Sequence, residues 1–246
     1  MKPLRMALLG YGRMGTAIET VAIERGHAVV SRATSAEPAT LDRLRSADVA
    51  LDFSRAECVA AHLRLCAEAE IPLVIGTTGW RDEAMLERAA ERIGIVVGAN
   101  FSIGVAIVAR LAAVLAEHAT PALGYQLHLH EVHHRAKRDA PSGTALLLTR
   151  TLAEHSPVPR PIATEPTPPI QPDAITISSA RVGTIAGIHT ITADSEADTI
   201  EIVHTAKSRR GFALGAVLAA EWIVGRRGLY RFADCAFEIV AATSQR

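Results

Sequence analysis

The sequence predicts an α/β protein, in which an N-terminal Rossmann-like parallel sheet is followed by a second α+β domain with a mostly antiparallel sheet. Over the first hundred residues, short apolar runs alternate with longer amphipathic stretches, a pattern typical of βαβ units. After residue 104 the rhythm changes, and later period-two segments follow one another with turn residues between them. We therefore expect two domains of different sheet type.

The first part of the chain is predicted to hold five strands and three helices. The strands are short aliphatic runs bounded by turn residues, at 4–9, 27–33, 48–53, 71–75 and 95–97. The helices are amphipathic stretches between those runs, at 14–24, 56–68 and 82–92.

The second part begins with a strong helix over residues 105–118. A strand then alternates with period two over residues 125–132, and Tyr125, Leu127 and Leu129 fall on one face. The remaining predicted elements are a helix at 142–155, strands at 174–181, 188–193 and 199–205, an apolar helix at 213–224 and an ambiguous element at 230–241. Residues 156–173 hold seven of the twelve prolines, so we expect an extended loop there.

Composition argues against several classes of partner. The chain has 246 residues with 26 basic and 26 acidic side chains, so no net positive field attracts nucleic acid or a membrane surface. No apolar run approaches the ~20 residues of a spanning helix, and the start shows no signal peptide. Three scattered cysteines indicate neither a disulfide framework nor a thiolate metal site, which fits a cytoplasmic location.

A glycine-rich turn directly follows the first predicted strand. Its sequence, Gly10-Tyr11-Gly12-Arg13-Met14-Gly15, fits the dinucleotide fingerprint and leads into a helix. The glycines allow a tight turn, approach to a pyrophosphate and packing of helix on strand, while the helix N-terminus offers N–H groups to the anion. A tight turn that binds no ligand remains the alternative.

The end of the second strand bears on which cofactor binds. The acid expected ~20 residues after the fingerprint, where it would bond the ribose hydroxyls, is missing. Arg32, with Thr34 and Ser35, suits a 2′-phosphate instead, so we expect a modest preference for NADPH, with NADH also accepted. A solvated arginine on a loop is the other interpretation.

Two further turns lie at the carboxyl ends of predicted strands, where ligands of open α/β sheets bind. Small residues there permit close approach of a nicotinamide ring. The candidate cofactor-binding residues in these turns are Gly76, Thr77, Thr78, Gly98, Ala99, Asn100 and Phe101.

The densest polar cluster runs from Glu131 to Ala145. Ser142 is a good N-cap for the following helix, and Gly143 and Thr144 present backbone N–H groups in its first turn. That is a carboxylate site built from a helix dipole.

Proton donors lie beside this predicted carboxylate site. His133, His134 and Lys137 supply them together with positive charge, and Lys137 is one of only three lysines in the chain. An ammonium can release its proton, whereas a guanidinium cannot.

Two other interpretations of this cluster stay open. A charged, solvated loop is the usual outcome for such a run of residues. His128 and His130 share a strand face and could form a metal site with His133 or Glu131, but nearby lysine and arginine would repel a cation, so no metal is predicted. A metal-dependent isomerase or hydrolase and a non-catalytic nicotinamide-sensing module are the corresponding rival functions.

The segment from Glu131 to Ala145 matches the signature E-x-H-H-x-x-K-x-D-x-P-S-G-T-A without a gap. Gly76-Thr-Thr-Gly79, Ala99-Asn-Phe-Ser-x-Gly104 and Ser208-Arg209…Phe212-Ala213 follow in the same order. The chain thereby resembles the 4-hydroxy-tetrahydrodipicolinate reductase family, also called dihydrodipicolinate reductase, of bacterial lysine and diaminopimelate synthesis. It departs from the family in a first motif that is one residue shorter than G-x-x-G-R-M-G.

The resemblance implies a role for each candidate. His133 is expected to be the catalytic acid/base and Lys137 the companion proton donor. The substrate carboxylates would be held by His134, Ser142, Gly143 and Thr144, with Arg209 near them. The cofactor, NADPH or NADH, would lie on residues 10–15, 76–78 and 98–101.

The resemblance also implies an organisation for the whole chain. Residues 1–104 and 210–246 would form the dinucleotide-binding domain, and residues 105–209 the substrate-binding and oligomerisation domain. The expected partner is a small cyclic dicarboxylate, and the expected assembly is a homotetramer.

Overall fold

The structure, a computed structural model, describes residues 2–164, 166 and 168–244. Two compact units form within these ranges. The first comprises the residues up to Ile103 together with those from Arg209 onward, and the second is Gly104–Ser208.

The first unit is built on a six-stranded sheet in which every pairing is parallel. Its strands are β1 (Arg5–Leu9), β2 (Ala28–Ala33), β3 (Val49–Asp52), β4 (Leu73–Ile75), β5 (Gly94–Val97) and β11 (Gly228–Arg231). They lie in the order β11-β5-β4-β3-β1-β2. The predicted Rossmann-like parallel sheet is therefore confirmed.

Helices accompany this sheet. They are α1 (Arg13–Glu24), α2 (Leu41–Arg45), α3 (Ala56–Ala69), α4 (Glu83–Ala90), α7 (Arg210–Ile223) and α8 (Phe232–Ser244). The buried aliphatic side chains of α2, α3 and α4 pack with those of the strands in one core cluster, and α1 packs against α7.

The first unit differs from the prediction at one short helix and at the ambiguous C-terminal element. The five residues of α2 are too few to show helical periodicity, although Thr40 caps the helix by accepting a hydrogen bond from the backbone N–H of Arg43 at 3.4 Å. The ambiguous element at 230–241 divides into β11, which pairs with β5, and α8.

The second unit holds a five-stranded sheet in the order β10-β9-β6-β8-β7. Its strands are β6 (Gln126–His133), β7 (Ile162–Ala163), β8 (Ile175–Arg181), β9 (Ile188–Asp194) and β10 (Thr199–Thr205). The helices α5 (Ile103–His118) and α6 (Gly143–His155) pack their apolar faces onto the core side of this sheet.

The antiparallel pairings predicted for the second sheet are present, and parallel pairings accompany them. Among the described pairings, β9 runs antiparallel to β6 and β10, whereas β8 runs parallel to β6 and β7. The helix α6 carries the chain from β6 back to β8, as a parallel connection requires. The short strand β7 lies in the proline-rich segment, which was predicted as an extended loop.

The predicted alternation of β6 is confirmed and extends further than expected. Leu127 and Leu129 are buried in the core, and the same face continues with the buried side chains of Glu131 and His133. The alternation of side chains along β6 therefore places a carboxylate and an imidazole on the same buried face at the carboxyl end of the strand. Within the described part of the chain, no helix combines the length and apolar character that a membrane span requires.

Candidate active site

The glycine turn between β1 and α1 has the geometry that a dinucleotide fingerprint requires. Gly10 has φ +92°, and a Cβ there would lie 2.5 Å from the Cα of Ser54. A Cβ at Gly15 would lie 2.5 Å from the carbonyl oxygen of Gly10. Both positions therefore require glycine, Gly10 because of its positive φ and the backbone of Ser54, and Gly15 because the helix starts directly against the turn.

Gly12 leaves space where a phosphate group would bind. It is the N-cap of α1, and among the described residues no side chain caps this helix. A Cβ at Gly12 would meet no described atom within 4 Å. An uncapped helix N-terminus beside open space fits the pyrophosphate of a dinucleotide. Arg13 is exposed and Met14 is half-buried at the start of the same helix.

Arg32, the candidate for a 2′-phosphate, already has a partner on α1. Its guanidinium forms an ion pair with Glu19, with Nε 3.1 Å from Oε2, and its Cζ lies 5.6 Å from the centre of the Tyr11 ring. The Tyr11 hydroxyl donates to the same carboxylate. The hydrogen bond from Arg32 lowers the pKa of Glu19. The charge of Arg32 is therefore partly neutralised in the free protein.

A buried carboxylate organises the turn after β4. Asp52 is fully buried at the end of β3, and its Oδ1 accepts hydrogen bonds from Thr77 Oγ1 at 2.8 Å and Ser54 Oγ at 2.6 Å. Its other oxygen lies 2.8 Å from Nδ1 of His62. The predicted cofactor residue Thr77 is thus held in a fixed orientation, while Thr78 is exposed beside it.

The turn after β5 combines exposed and buried residues. Ala99 is exposed, and Oδ1 of Asn100 accepts a hydrogen bond from the backbone N–H of Ser102 at 2.8 Å. Phe101 is only 2% exposed, and the centroid of its ring lies 4.6 Å from that of Phe232. The Phe101 side chain is therefore part of the core, and only its backbone borders the predicted cofactor site. Gly98 is half-buried above these two rings.

In the second unit, Glu131 ties three elements together. Its Oε1 accepts hydrogen bonds from the backbone N–H of Ser142 at 2.9 Å, Ser179 Oγ at 2.8 Å and Arg181 Nη2 at 2.8 Å. Burial alone would raise the pKa of Glu131, but the hydrogen bonds outweigh it and lower the pKa to about 2. Glu131 is therefore ionised at neutral pH, at the end of β6.

His133 lies beside this anion with little access to water. Its Nδ1 is 3.0 Å from Oε2 of Glu131, but the two atoms are not aligned for a hydrogen bond. Its ring packs edge-on against the ring of His189, with 5.2 Å between the ring centroids. Burial lowers the pKa of His133, and the charges of Lys137 and Arg181 lower it further, while Glu131 opposes them.

The loop after β6 places Lys137 next to a carboxylate. Its Nζ donates to both oxygens of Asp139, at 2.8 Å and 2.9 Å. The backbone N–H of Lys137 donates to the carbonyl of His134 at 3.0 Å, so these two candidates share one turn. His134 itself is half-buried.

The N-terminus of α6 forms as predicted, with Ser142 as its cap. Ser142 Oγ accepts from the backbone N–H of Ala145 at 3.1 Å and lies 3.3 Å from Nε2 of His189. Because Ser142 is only 2% exposed and engaged within the chain, it fixes the helix start. Gly143 is exposed, a Cβ there would meet no described atom within 4 Å, and Thr144 is half-buried next to it.

The histidines weighed as metal ligands separate in the structure. His128 and His130 lie on the other face of β6, where both bond Ser178 Oγ, at 2.9 Å and 2.7 Å. Among the described residues, Glu131, His133 and His189 bring three ligand-type atoms within 4.8 Å of one another. The guanidinium of Arg181 already neutralises this carboxylate, so we assign no metal there.

Comparison with known proteins gives this arrangement a family. The dihydrodipicolinate reductase N-terminus profile matches residues 4–101, and the corresponding C-terminus profile matches residues 104–235. The chain belongs to the dihydrodipicolinate reductase family. It is an oxidoreductase with a nicotinamide dinucleotide, NAD(P)H, as its cofactor.

Curated relatives and one solved structure of this family are similar to the chain over nearly its whole length. The 4-hydroxy-tetrahydrodipicolinate reductase of Christiangramia forsetii is 37% identical and covers 94% of this chain and 97% of its own. The 4-hydroxy-tetrahydrodipicolinate reductase of Neisseria meningitidis serogroup A is 36% identical, and the similarity covers 95% of this chain and 97% of that protein. The dipicolinate-bound dihydrodipicolinate reductase of Paenisporosarcina sp. TG-14 has a TM-score of 0.76 at 24% identity, covering 94% of this chain and 99% of its own.

Sequence reasoning missed several residues that shape the candidate sites of this chain. Arg181 lies 50 residues beyond Glu131 in the chain and His189 lies on the next strand, and no local pattern marks either residue. Asp52 lay inside a predicted strand, where a charged residue in an aliphatic run was an available signal. Glu19 lies on the predicted helix after the glycine turn and gave no signal of its own.

Proposed function

We propose that this chain catalyses the NAD(P)H-dependent reduction of 4-hydroxy-tetrahydrodipicolinate to tetrahydrodipicolinate in lysine and diaminopimelate biosynthesis. The observation that carries the proposal is the grouping of buried His133, Lys137 and the exposed N-terminus of α6 within one fifteen-residue signature. This group can supply a proton and bind a carboxylate, as reduction of a cyclic imine dicarboxylate requires.

The first unit would hold the cofactor. Its pyrophosphate fits the uncapped start of α1 at Gly12, and the turns after β4 and β5 border the sheet edge where the nicotinamide belongs. When bound, NAD(P)H would supply the hydride for the ring carbon that is left electrophilic when the 4-hydroxyl departs as water. Arg32 favours NADPH modestly, because Glu19 competes with a 2′-phosphate for its guanidinium.

The second unit would bind the substrate and deliver the proton. The first turn of α6, at Gly143 and Thr144, binds a carboxylate through its backbone and helix dipole, and His134 assists. His133 protonates the reduced ring, with Lys137 as its companion donor. The two carboxylates of the substrate bring negative charge beside His133, which raises its pKa and makes the imidazolium accessible in the complex.

Assembly as a homotetramer and a cytoplasmic location complete this proposal. Sedimentation velocity on the purified protein tests the first, since any smaller species at micromolar concentration contradicts a tetramer. Fractionation of the source cells tests the second.

The decisive experiment for the reaction is a coupled assay. Pyruvate, aspartate semialdehyde and the preceding synthase generate the substrate in the cuvette, and NADPH oxidation is followed after this chain is added. We expect oxidation that requires all components and is inhibited by dipicolinate. Binding of NADPH without any oxidation would contradict the proposed reaction and favour a sensing role.

A further inference from the structure

The two oxygens of the Glu131 carboxylate have different surroundings. Oε1 accepts three hydrogen bonds, one from the first residues of α6 and two from β8. Oε2 faces the imidazoles instead, 3.0 Å from Nδ1 of His133 and 3.8 Å from Nε2 of His189. The carboxylate is thus clamped on one side and directed at His133 on the other.

Neither Oε2 of Glu131 nor Nδ1 of His133 has a hydrogen-bond partner among the described residues, and both atoms are buried. Leaving two buried polar atoms unpaired is costly, and at 3.0 Å these two lie within hydrogen-bond distance of each other. Hydrogen bonds of this kind are often poorly aligned in free enzymes and tighten when substrate binds.

The other nitrogen of His133 is left uncovered by a glycine. A Cβ on Gly187 would lie 2.9 Å from Nε2 of His133, so a side chain at that position would block this atom. Glycine therefore keeps Nε2 available on the side of the ring that is remote from Glu131.

We propose, resting on the function proposed above, that Glu131 is a positioning residue which holds His133 in its Nδ1–H tautomer and so assigns proton transfer to Nε2. The imidazolium carries a proton on each nitrogen. The N–H bond at Nε2 breaks as its proton bonds to the reduced ring, the electron pair stays on Nε2, and Nδ1–H remains against Oε2. Solvent then returns a proton to Nε2.

The charges around His133 set the pH behaviour that follows. The groups that face it are Glu131 on its own strand, Lys137 and Asp139 in the loop after β6, Arg181 on β8 and His189 on β9. Burial, Lys137 and Arg181 lower the pKa of His133, whereas Glu131 and Asp139 raise it. Removing the Glu131 charge must therefore lower the pKa of His133 further.

A spectroscopic test needs no turnover. The ¹⁵N shifts of the histidine rings, with His133 assigned by the signal missing from His133→Gln, report the tautomer of the neutral ring in the wild-type enzyme. We expect protonated Nδ1 and bare Nε2. A neutral ring protonated on Nε2 would overturn the proposal, whether or not the reaction proposed for this chain is correct.

A kinetic test uses Glu131→Gln, with Ser179→Ala as its matched control. The glutamine removes the charge and presents an amide N–H or an oxygen in its place, so kcat should fall by at least about tenfold. The descending limb of the kcat–pH profile, and the pKa of His133 seen by NMR, should move to lower pH. Ser179→Ala removes one donor to Oε1 but keeps the charge, and should leave both pH readouts in place.

The outcomes separate cleanly. A folded Glu131→Gln enzyme with wild-type kcat and pH profile overturns the positioning role. If circular dichroism shows that this variant does not fold, the wild-type tautomer decides. If the wild-type enzyme oxidises no NADPH in the coupled assay, the proposed function fails, while the tautomer and the pKa of His133 still test the link to Glu131.

Discussion

The Nζ of Lys137 lies 2.8 Å and 2.9 Å from the two carboxylate oxygens of Asp139. The hydrogen bond from Lys137 does most to lower the pKa of Asp139, burial opposes it, and the backbone of Gly143 lowers the pKa further. An internal carboxylate therefore uses donors that we assign to the substrate. The substrate must compete with Asp139 for Lys137 and for the first turn of α6.

Replacing Asp139 by asparagine should strengthen the binding of a dicarboxylate. The competing charge is lost, and since this ion pair is partly exposed the gain in dipicolinate affinity should be modest, up to about fivefold. Titration calorimetry with dipicolinate measures it. Glu154→Gln is the control, because it removes one exposed negative charge near the C-terminal end of α6, whereas Asp139 precedes the N-terminus of that helix. Equal affinities in both variants would show that Asp139 does not compete.

His133→Gln should lower kcat by on the order of a hundredfold or more, the usual scale for loss of a general acid or base. The affinity for NADPH should hardly change, since His133 lies in the second unit and the glycine turn in the first. The coupled assay and a fluorescence titration with NADPH measure the two quantities. A normal kcat in this variant would remove His133 from the mechanism.

Lys137→Arg separates proton donation from electrostatic attraction. Arginine keeps the positive charge and should retain the binding of dipicolinate, but its high pKa makes it a poor proton donor. We expect a large loss of kcat with dipicolinate affinity within a few-fold of wild type. If arginine supports full activity, Lys137 acts only as a charge that holds the substrate.

Local patterns were sufficient for part of this structure. The glycine turn and the alternation of β6 depend on neighbouring residues, so Gly10, Leu127 and the N-cap Ser142 could be recognised from the chain alone. The family signature likewise lies within one continuous segment.

Long-range pairings could not be predicted in the same way. The parallel alignment of β8 with β6, the addition of β11 to β5 and the clamp of Arg181 on Glu131 join segments far apart in sequence. Nothing in either partner's local pattern encodes such a contact, because it follows from how the whole sheet assembles.

Protonation of His189 should make the folded state less stable in acid. Burial lowers the pKa of His189 from its ordinary value of 6.5 to about 4. As the pH falls below 6.5 the unfolded chain takes up this proton first, so the free energy of unfolding decreases between pH 6.5 and about 4. Urea unfolding at a series of pH values measures this slope, which should be smaller in His189→Gln.

The slope should not vanish in that variant, since burial also lowers the pKa of His128, His133 and His204. His118→Gln is the control and should keep the wild-type slope, because its side chain is exposed at the end of α5. A His189→Gln slope identical to that of wild type would show that His189 is not held neutral.

Cofactor preference should depend on the pair formed by Arg32 and Glu19. A well-formed charge-assisted hydrogen bond from an arginine to a 2′-phosphate contributes ~1.5–3 kcal/mol, or roughly tenfold or more in affinity. In this chain Glu19 already holds the guanidinium, which lies over the ring of Tyr11. The phosphate must displace that carboxylate, so we expect only a modest preference for NADPH.

Two substitutions should move the preference in opposite directions. Arg32→Ala should erase it and leave the NADH kinetics nearly unchanged, because NADH has no 2′-phosphate for the guanidinium to bind. Glu19→Gln removes the competing charge, and should therefore increase the ratio of kcat/KM for NADPH over NADH above the wild-type value, towards the roughly tenfold of an uncontested pair. Steady-state kinetics with both cofactors measure the ratio. If wild type and Arg32→Ala show equal ratios, Arg32 serves α1 through Glu19 and takes no part in cofactor choice.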